Sequence, residues 1–327
     1  MSAPDWRPGA TRERLVARAQ MLAAVRSFFA ARGVLEVDTP VIVNAPVSDV
    51  HIHSARVELT PEGTAAGPAQ FFLHTSPEYA MKRLLAAGCG DIYQVCHVAR
   101  ALETGRVHNP EFTLLEWYRT GFTLGQLMDE VEQLVAALLG AAAPAAAAER
   151  LSYREVFLRE LGLDPFTADL HVLAQAAAPL ALTGPAALDR DGYLELLMGA
   201  LIGPRLGRQR MSFVHGYPAS QAALARLDPA DPRAAQRFEL YARGIELANG
   251  FHELADAAEQ RARFAADNAA RQRAGLPVHA PDERLLAALE SGLPDCCGVA
   301  LGLDRVLMLA TGAAHIEEVL AFPTLRA

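Results

Sequence analysis

HVARALETGRVHNPEFTLLEWYR, residues 97–119, is the stretch on which the reading of the whole chain turns. Two apolar runs, IYQVCHVA and FTLLEWYR, flank the polar segment 101–110, a pattern that predicts a long antiparallel hairpin. Within it, Arg100 and Arg106 are suited to holding phosphates. His108 is placed to touch the outer one, and Phe112 offers a flat face to a purine. Hairpins of this kind also occur as plain surface features with solvated arginines, so the meaning depends on what accompanies it.

Upstream, Leu15, Ala19, Leu22, Val25 and Phe29 have the spacing of an amphipathic helix over 11–32, stopped by Gly33. VLEVDTP then reads as a strand closed by Pro40, residues 41–70 as mostly loop, and FFLHT as a further strand. TSPEYAMKRLLAAGCG opens a helix with Ser76 as N-cap, Pro77 in the first turn and Gly88 at its end. Glu78 sits in that first turn, where a carboxylate is commonly no more than a partner for the helix dipole.

Downstream, Leu127, Val131, Leu134 and Leu138 mark a helix over 123–139, followed by the low-complexity connector GAAAPAAAAER. Residues 151–210 read as mostly helical and carry no chemical signal. Strands return with MSFVHGYP and FELYARGIELANGFHEL. Helices follow around 257–274 and 281–291, and CCGVALGLDRVLMLATG runs from strand into helix. Strands at both ends of the chain, parted by a helical insertion, predict one α+β domain built on a mostly antiparallel sheet.

Composition narrows the function. The 327 residues carry a net charge of -8, which argues against a broad nucleic-acid surface and favours a cationic small substrate over an anionic one. No segment is long and apolar enough to span a bilayer, and MSAPDWRPGATRERL lacks a signal-peptide core, so no membrane and a cytoplasmic location are expected. Cys89, Cys96, Cys296 and Cys297 form no C-x-x-C pair and read as reduced, buried thiols. The single lysine, Lys82, reads as a compositional habit of an arginine-rich chain.

Two further stretches carry chemistry. In GVALGLDR, Gly298 and Gly302 weaken an apolar strand, which points to close approach of something to its backbone. Arg305 at the following strand–helix junction is placed to hold a phosphate. In FELYARGIELANGFHEL, Glu239, Glu246 and Glu253 recur at intervals of seven in an apolar hairpin. Carboxylates there are costly unless paired, and Glu239 with Glu246 have the chemistry to hold Mg²⁺ bridging phosphates, while Glu253 suits an ammonium group.

The combination is more specific than its parts. VLEVDTP resembles motif 1 of the class II aminoacyl-tRNA synthetases, the hairpin from Arg100 to Tyr118 resembles motif 2, and GVALGLDR resembles motif 3. TSPE, RVHNPEF, ELANGFHEL and the closing G-x-D-R are similar to the lysyl branch, and the likeness runs from about residue 12 to 322. It implies the class II catalytic fold over 1–327 as a single domain, with the insertion at about 140–210. Motif 1 begins near residue 34, so no N-terminal anticodon-binding domain, and no tRNA anticodon recognition, is expected. A stand-alone domain of this kind is similar to the elongation factor P–lysine ligase family. Its members adenylate lysine, preferentially (R)-β-lysine, and transfer it to a lysine side chain of elongation factor P. Ala300 has the residue of that family where lysyl-tRNA synthetases carry Gly.

The resemblance implies ATP and Mg²⁺ and assigns roles residue by residue. Arg100 and Arg305 are the catalytic pair, Arg100 holding the α-phosphate and Arg305 with His108 the outer phosphates. Asn109, Phe112, Leu247 and Gly302 line the nucleotide, and Glu239 and Glu246 hold the metal. Ser76, Pro77 and Glu78 receive the near ammonium of lysine or (R)-β-lysine. Tyr118 and Glu253 receive the ε-ammonium, Asn249 the carboxylate, and Ala300 forms the pocket floor. Motif 1 implies a homodimer.

One departure stands out. The family's motif 2 reads Arg-x-Glu, whereas this chain reads Arg100-Ala101-Leu102-Glu103, so its carboxylate comes one place late. Loss of that nucleotide contact is expected to weaken ATP binding by on the order of 1 kcal/mol unless Glu103 reaches the site. Two other readings follow from these features. A truncated lysyl-tRNA synthetase acting on tRNA is one; a non-catalytic paralogue that binds lysine or ATP is the other.

Overall fold

Thr11 sets the start of the first helix: its side-chain oxygen accepts the Arg14 N–H, and α1 runs over Arg12–Ala30. The computed structural model describes residues 6–59, 69–181 and 188–327; parts of the expected loop region and insertion, 60–68 and 182–187, lie outside them. VLEVDTP yields only the short β1 (Leu35–Glu36). A small antiparallel sheet follows, β2 (Ile42–Val43), β3 (Arg56–Leu59) and β4 (Ala69–Leu73), in the order β2-β4-β3. Next comes α2 (Glu78–Ala86), then the expected hairpin of β5 (Ile92–Ala99) and β6 (Glu111–Thr120), then α3 (Leu124–Leu139).

The insertion contributes one strand as well as helices: β7 (Glu149–Ser152), then α4 (Tyr153–Leu161), α5 (Leu170–Ala177) and α6 (Arg190–Leu197). The chain completes its sheet with β8 (Ser212–Pro218), β9 (Ala234–Ala242) and β10 (Ile245–His252). Helices α7 (Ala257–Arg273) and α8 (Glu283–Gly292) precede β11 (Cys296–Gly302), which passes directly into α9 (Leu303–Thr311). The β9–β10 turn places Arg243 and Gly244 at φ 51° and 77°, the positive pair that matches a two-residue hairpin loop to strand twist.

The main sheet has eight strands in the order β1-β5-β6-β11-β10-β9-β8-β7. Only β1–β5 and β7–β8 pair in parallel. The fold is thus α+β with a mostly antiparallel sheet, as expected.

The strand period of two then divides the residues. Leu115 and Trp117 of β6, Leu240 of β9 and Val299 and Leu301 of β11 point back into a core shared with α1, α3 and α9. Among the described residues, two apolar clusters cover the ends of the front face. On one side Met81, Leu85, Tyr118, Leu285 and Leu289 pack α2 and α8 against it, and on the other Tyr153, Phe157, Leu197, Tyr217 and Tyr241 pack the insertion. Between them one front-face rung crosses five strands: Gln94, Glu116, Ala300, Asn249 and Glu239 stand opposite one another in register. A rung so polar, flanked by apolar layers, marks where a ligand belongs.

Candidate active site

The β6 side of that rung is a buried acidic pocket. Ser76, just before α2, accepts the Glu78 N–H at 3.0 Å and donates its hydroxyl to Glu116 Oε2 at 2.7 Å. It therefore caps the helix and aims a pocket carboxylate at once, while Pro77 takes the formal N-cap position. Tyr118, two residues along the same face of β6, donates to Glu116 Oε1 at 2.7 Å. Lys82, one turn into α2, reaches Glu78 Oε1 at 2.8 Å and Glu253 Oε2 at 2.6 Å. Gly298 makes the crowding feasible, since a Cβ there would run into the Tyr118 ring and Glu253 Oε1.

Lys82, Glu116, Tyr118 and Glu253 are buried, so their charges are strongly felt. Burial raises Glu116 to about 7, with Glu78 adding to the shift and the hydrogen bonds from Tyr118 and Ser76 opposing it. Burial likewise raises Glu253 to about 8 despite the Lys82 ammonium beside it. For Lys82 burial acts against the charge, but Glu253 and Glu78 outweigh it and hold the ammonium well above its ordinary range. Burial, then Glu116, keeps the Tyr118 phenol protonated and a donor. Three carboxylates therefore face one internal ammonium, an imbalance that is expensive in a buried site unless a cationic ligand corrects it.

The neighbouring cleft has the opposite character. The Arg100 guanidinium lies 5.1 Å over the Phe112 ring and donates Nε to the Thr75 carbonyl at 3.4 Å. Its Nη1 pairs with Glu103 at 3.3 Å, while Leu102 projects into solvent, 73% exposed. The late carboxylate is therefore the one that faces the site. Adjacent residues at the start of α9 part company. Asp304 turns back to Arg18 and the Thr113 N–H, whereas Arg305 turns forward.

Arg305 donates to His108 Nε2 at 2.7 Å, to the Glu246 carbonyl at 2.8 Å and to the Val107 carbonyl at 3.2 Å. Burial first and Arg305 second lower the His108 value, which keeps its ring neutral and able to accept. Arg237 adds a further cation, held by Glu239 at 2.5 Å, the Gln221 carbonyl at 2.7 Å and Asn249 Oδ1 at 3.2 Å.

Several expected residues sit elsewhere. Asn109 is buried and donates its amide to the Glu111 carbonyl at the start of β6 and to Thr324 Oγ1 in the C-terminal turn, so both amide hydrogens are engaged away from the expected adenine contact. Leu247 is the extra residue of a β-bulge between Glu246 and Ala248; the bulge sends its side chain into the core behind the sheet. Glu239 is already engaged, accepting from Tyr217 at 2.5 Å, Tyr241 at 2.6 Å and Arg237. Of the two carboxylates expected to hold Mg²⁺, Glu246 is the less engaged: it opens onto the cleft with a single ion-pair contact, 3.6 Å to Arg305. Burial, then Glu239, raises its value. Among the described residues, no group of three or more His, Cys, Asp or Glu gathers as a metal site. All four cysteines are free thiols, but Cys89 is exposed, at the end of α2, where burial was expected.

Glu116, Lys82 and Arg237 were not anticipated. Glu116 was legible in principle, since it lies at even spacing between Phe112 and Tyr118, both already placed on the site face. Lys82 is four residues after Glu78, the helical spacing that pairs opposite charges.

A family model for the class II tRNA synthetases (D, K and N) matches residues 3–326, and the chain belongs to that family. Within it, the chain is 52% identical to the protein of Vibrio cholerae serotype O1 named elongation factor P–(R)-beta-lysine ligase, over 100% of both chains. It is 51% identical to the protein of that name from Edwardsiella ictaluri, covering 99% of this chain and 98% of the relative. The identity to the one from Klebsiella pneumoniae strain 342 is 49%, over 98% of each. Among the described residues, no helix is long and apolar enough to cross a membrane.

Proposed function

We propose that this chain is an ATP-dependent ligase that activates a lysine-like diamino acid as its adenylate and transfers it to a lysine side chain of elongation factor P. The three relatives named above, matched over 98–100% of their length, carry that ligase name and not a tRNA synthetase name, which favours a protein over a tRNA as acceptor. The observation that carries the reading is the polarity of one sheet face. Three carboxylates, two of them buried, against one ammonium lie beside a cleft presenting Arg100, Arg237 and Arg305. A diamino acid entering this site turns its ammonium groups toward Glu78, Glu116 and Glu253 and its carboxylate toward the arginines, where ATP lies.

In the first step a carboxylate oxygen of the amino acid attacks the α-phosphorus. The bond to the bridging oxygen breaks and pyrophosphate leaves with the electron pair. Arg100 holds the α-phosphate and spreads its developing charge, Arg305 with His108 receives the outer phosphates, and Phe112 supports the base. Mg²⁺, when bound, neutralises phosphate charge, and Glu246 is the residue that would hold it. In the second step a neutral amine of the acceptor attacks the acyl carbon and AMP departs, so no covalent enzyme intermediate is needed. Ala300 puts a methyl on the pocket floor between Glu116 and Asn249, where it shapes which amine position fits.

We also propose that residues 1–327 act as one catalytic domain, with the insertion at one end of the sheet, and that it works as a homodimer. Leu35, Val41 and Ile42, exposed in and beside β1 and β2, support a partner surface there. The test of function uses purified chain, ATP, Mg²⁺ and elongation factor P with α-lysine or (R)-β-lysine. The expected result is a gain of one lysine residue in the intact mass of the acceptor, greater with the β-isomer. Absence of both that gain and AMP under every condition overturns the reading.

A further inference from the structure

Lys82 is the only lysine in the chain, and none of the roles above uses it. Its ammonium is 2.8 Å from Glu78 and 2.6 Å from Glu253, with 1% of the side chain exposed. Glu78 opens α2 and Glu253 follows β10, so this one side chain ties helix to sheet through the wall of the amine pocket. The titratable groups around it are Glu78 from α2, Glu116 and Tyr118 from β6, Glu253 after β10 and Cys296 from β11. Of the three carboxylates, Glu116 alone is held only by neutral hydroxyls, those of Ser76 and Tyr118.

A buried ammonium has three hydrogens to satisfy, so which partners it takes is informative. This one bridges two, and both belong to the pocket. Without it, three carboxylates would share a buried site with no internal cation. Such groups take up protons, and a protonated carboxyl no longer holds an ammonium.

We propose that Lys82 is a positioning residue for amine recognition. It holds Glu78 and Glu253 in place and offsets part of their charge, so that with Glu116 they form a fixed acidic wall for the incoming diamino acid. This rests on the functional reading above. It also gives the lone lysine a chemical role that composition alone had not suggested.

Because Lys82 is unique, protein labelled with [ζ-¹⁵N]lysine has a single lysine ammonium resonance, readable in the unaltered chain. The expected result is a charged ammonium from about pH 6 to 10, with a resonance that moves on adding unlabelled lysine or (R)-β-lysine. An unmoved resonance at saturating amino acid, in protein that forms AMP with that amino acid, overturns the proposal. A second arm compares Lys82→Met with Lys82→Arg, with folding checked by thermal melting. Lys82→Met is expected to raise the amino-acid KM on the order of a hundredfold. It also moves the pH midpoint of that KM up by about one unit and leaves the KM for ATP in place. Lys82→Arg keeps the midpoint. Folded Lys82→Met with wild-type KM and midpoint overturns the proposal. Wild-type protein that forms no AMP with any diamino acid overturns the functional reading instead.

Discussion

The amine pocket and the nucleotide cleft share one face of one sheet, yet they are built on opposite terms. The pocket is buried and acidic, and its side chains hold one another: Ser76 and Tyr118 on Glu116, Lys82 on Glu78 and Glu253. The cleft is more open and basic, and its arginines lean on backbone carbonyls: Arg100 on Thr75, Arg237 on Gln221, Arg305 on Val107 and Glu246. A small diamino acid must be read to the position of one amine, which requires preorganised, desolvated partners. Phosphates are larger and more strongly charged, and cations anchored at their bases suffice to gather them. In the function proposed above, the polarity between the two regions would also orient the amino acid before chemistry begins.

The sharpest way to break this comparison is to remove one group from each region. Glu116→Gln keeps the shape and hydrogen-bonding reach but not the charge, and is expected to raise the amino-acid KM on the order of a hundredfold while the KM for ATP holds. Arg100→Ala is expected to lower kcat on the order of 10²–10³-fold, as loss of a donor to developing charge does elsewhere. Amino-acid-dependent exchange of pyrophosphate into ATP reads both. If Glu116→Gln changes the KM for ATP as strongly as that for the amino acid, the two regions do not divide the work.

A smaller effect should separate the regions by pH. Glu116 is raised to about 7 and Glu253 to about 8, so in the empty pocket both take up protons as pH falls through those values. A bound ammonium favours the ionised carboxylates, so binding releases those protons and weakens as pH falls. The amino-acid KM is therefore expected to fall as pH rises from about 6 to 8 and to level off above. Its steepest slope is about tenfold per unit for each proton released. Arginines keep their charge throughout, so the KM for ATP should change far less over the same range. Glu116→Gln removes one of the titrating groups, so the slope of the fall in amino-acid KM should lessen by about one proton.

How much of this was legible in the sequence follows from the same contrast. The cleft is carried by motif residues at turns and element ends, Arg100, His108 and Arg305, where a polar side chain stands out against its neighbours. Glu116 lies inside FTLLEWYR, where a single carboxylate in an apolar run reads as strand, and only the period of two betrays it. Lys82 reads as composition in an arginine-rich chain, although its spacing from Glu78 points to a pair. Leu247 was misplaced by a bulge that no periodicity reveals, and Asn109 because a turn residue was drawn to the C-terminus by Thr324, 215 positions away. Element order and the antiparallel sheet were recoverable because they depend on local pattern. Side-chain pairings that cross the chain did not.

The smallest expected effect concerns the residues that depart from the motif. Glu103, not Leu102, is the carboxylate beside Arg100, and Leu102 lies in solvent at the turn. The turn explains why: within a continuous strand a one-residue offset would have sent Glu103 to the opposite face, but the chain has already left β5 at Ala99. Glu103→Ala should therefore raise the KM for ATP by a few-fold, since a partly exposed ion pair of this kind is worth about 0.2–1 kcal/mol. Leu102→Glu, which restores the family's residue, should change it by less, because its new carboxylate would start from solvent with Arg100 already paired. A large gain in ATP affinity from Leu102→Glu would mean that the turn rearranges when nucleotide binds. The cleft would then be assembled by its ligand, in contrast to a pocket whose side chains already hold one another.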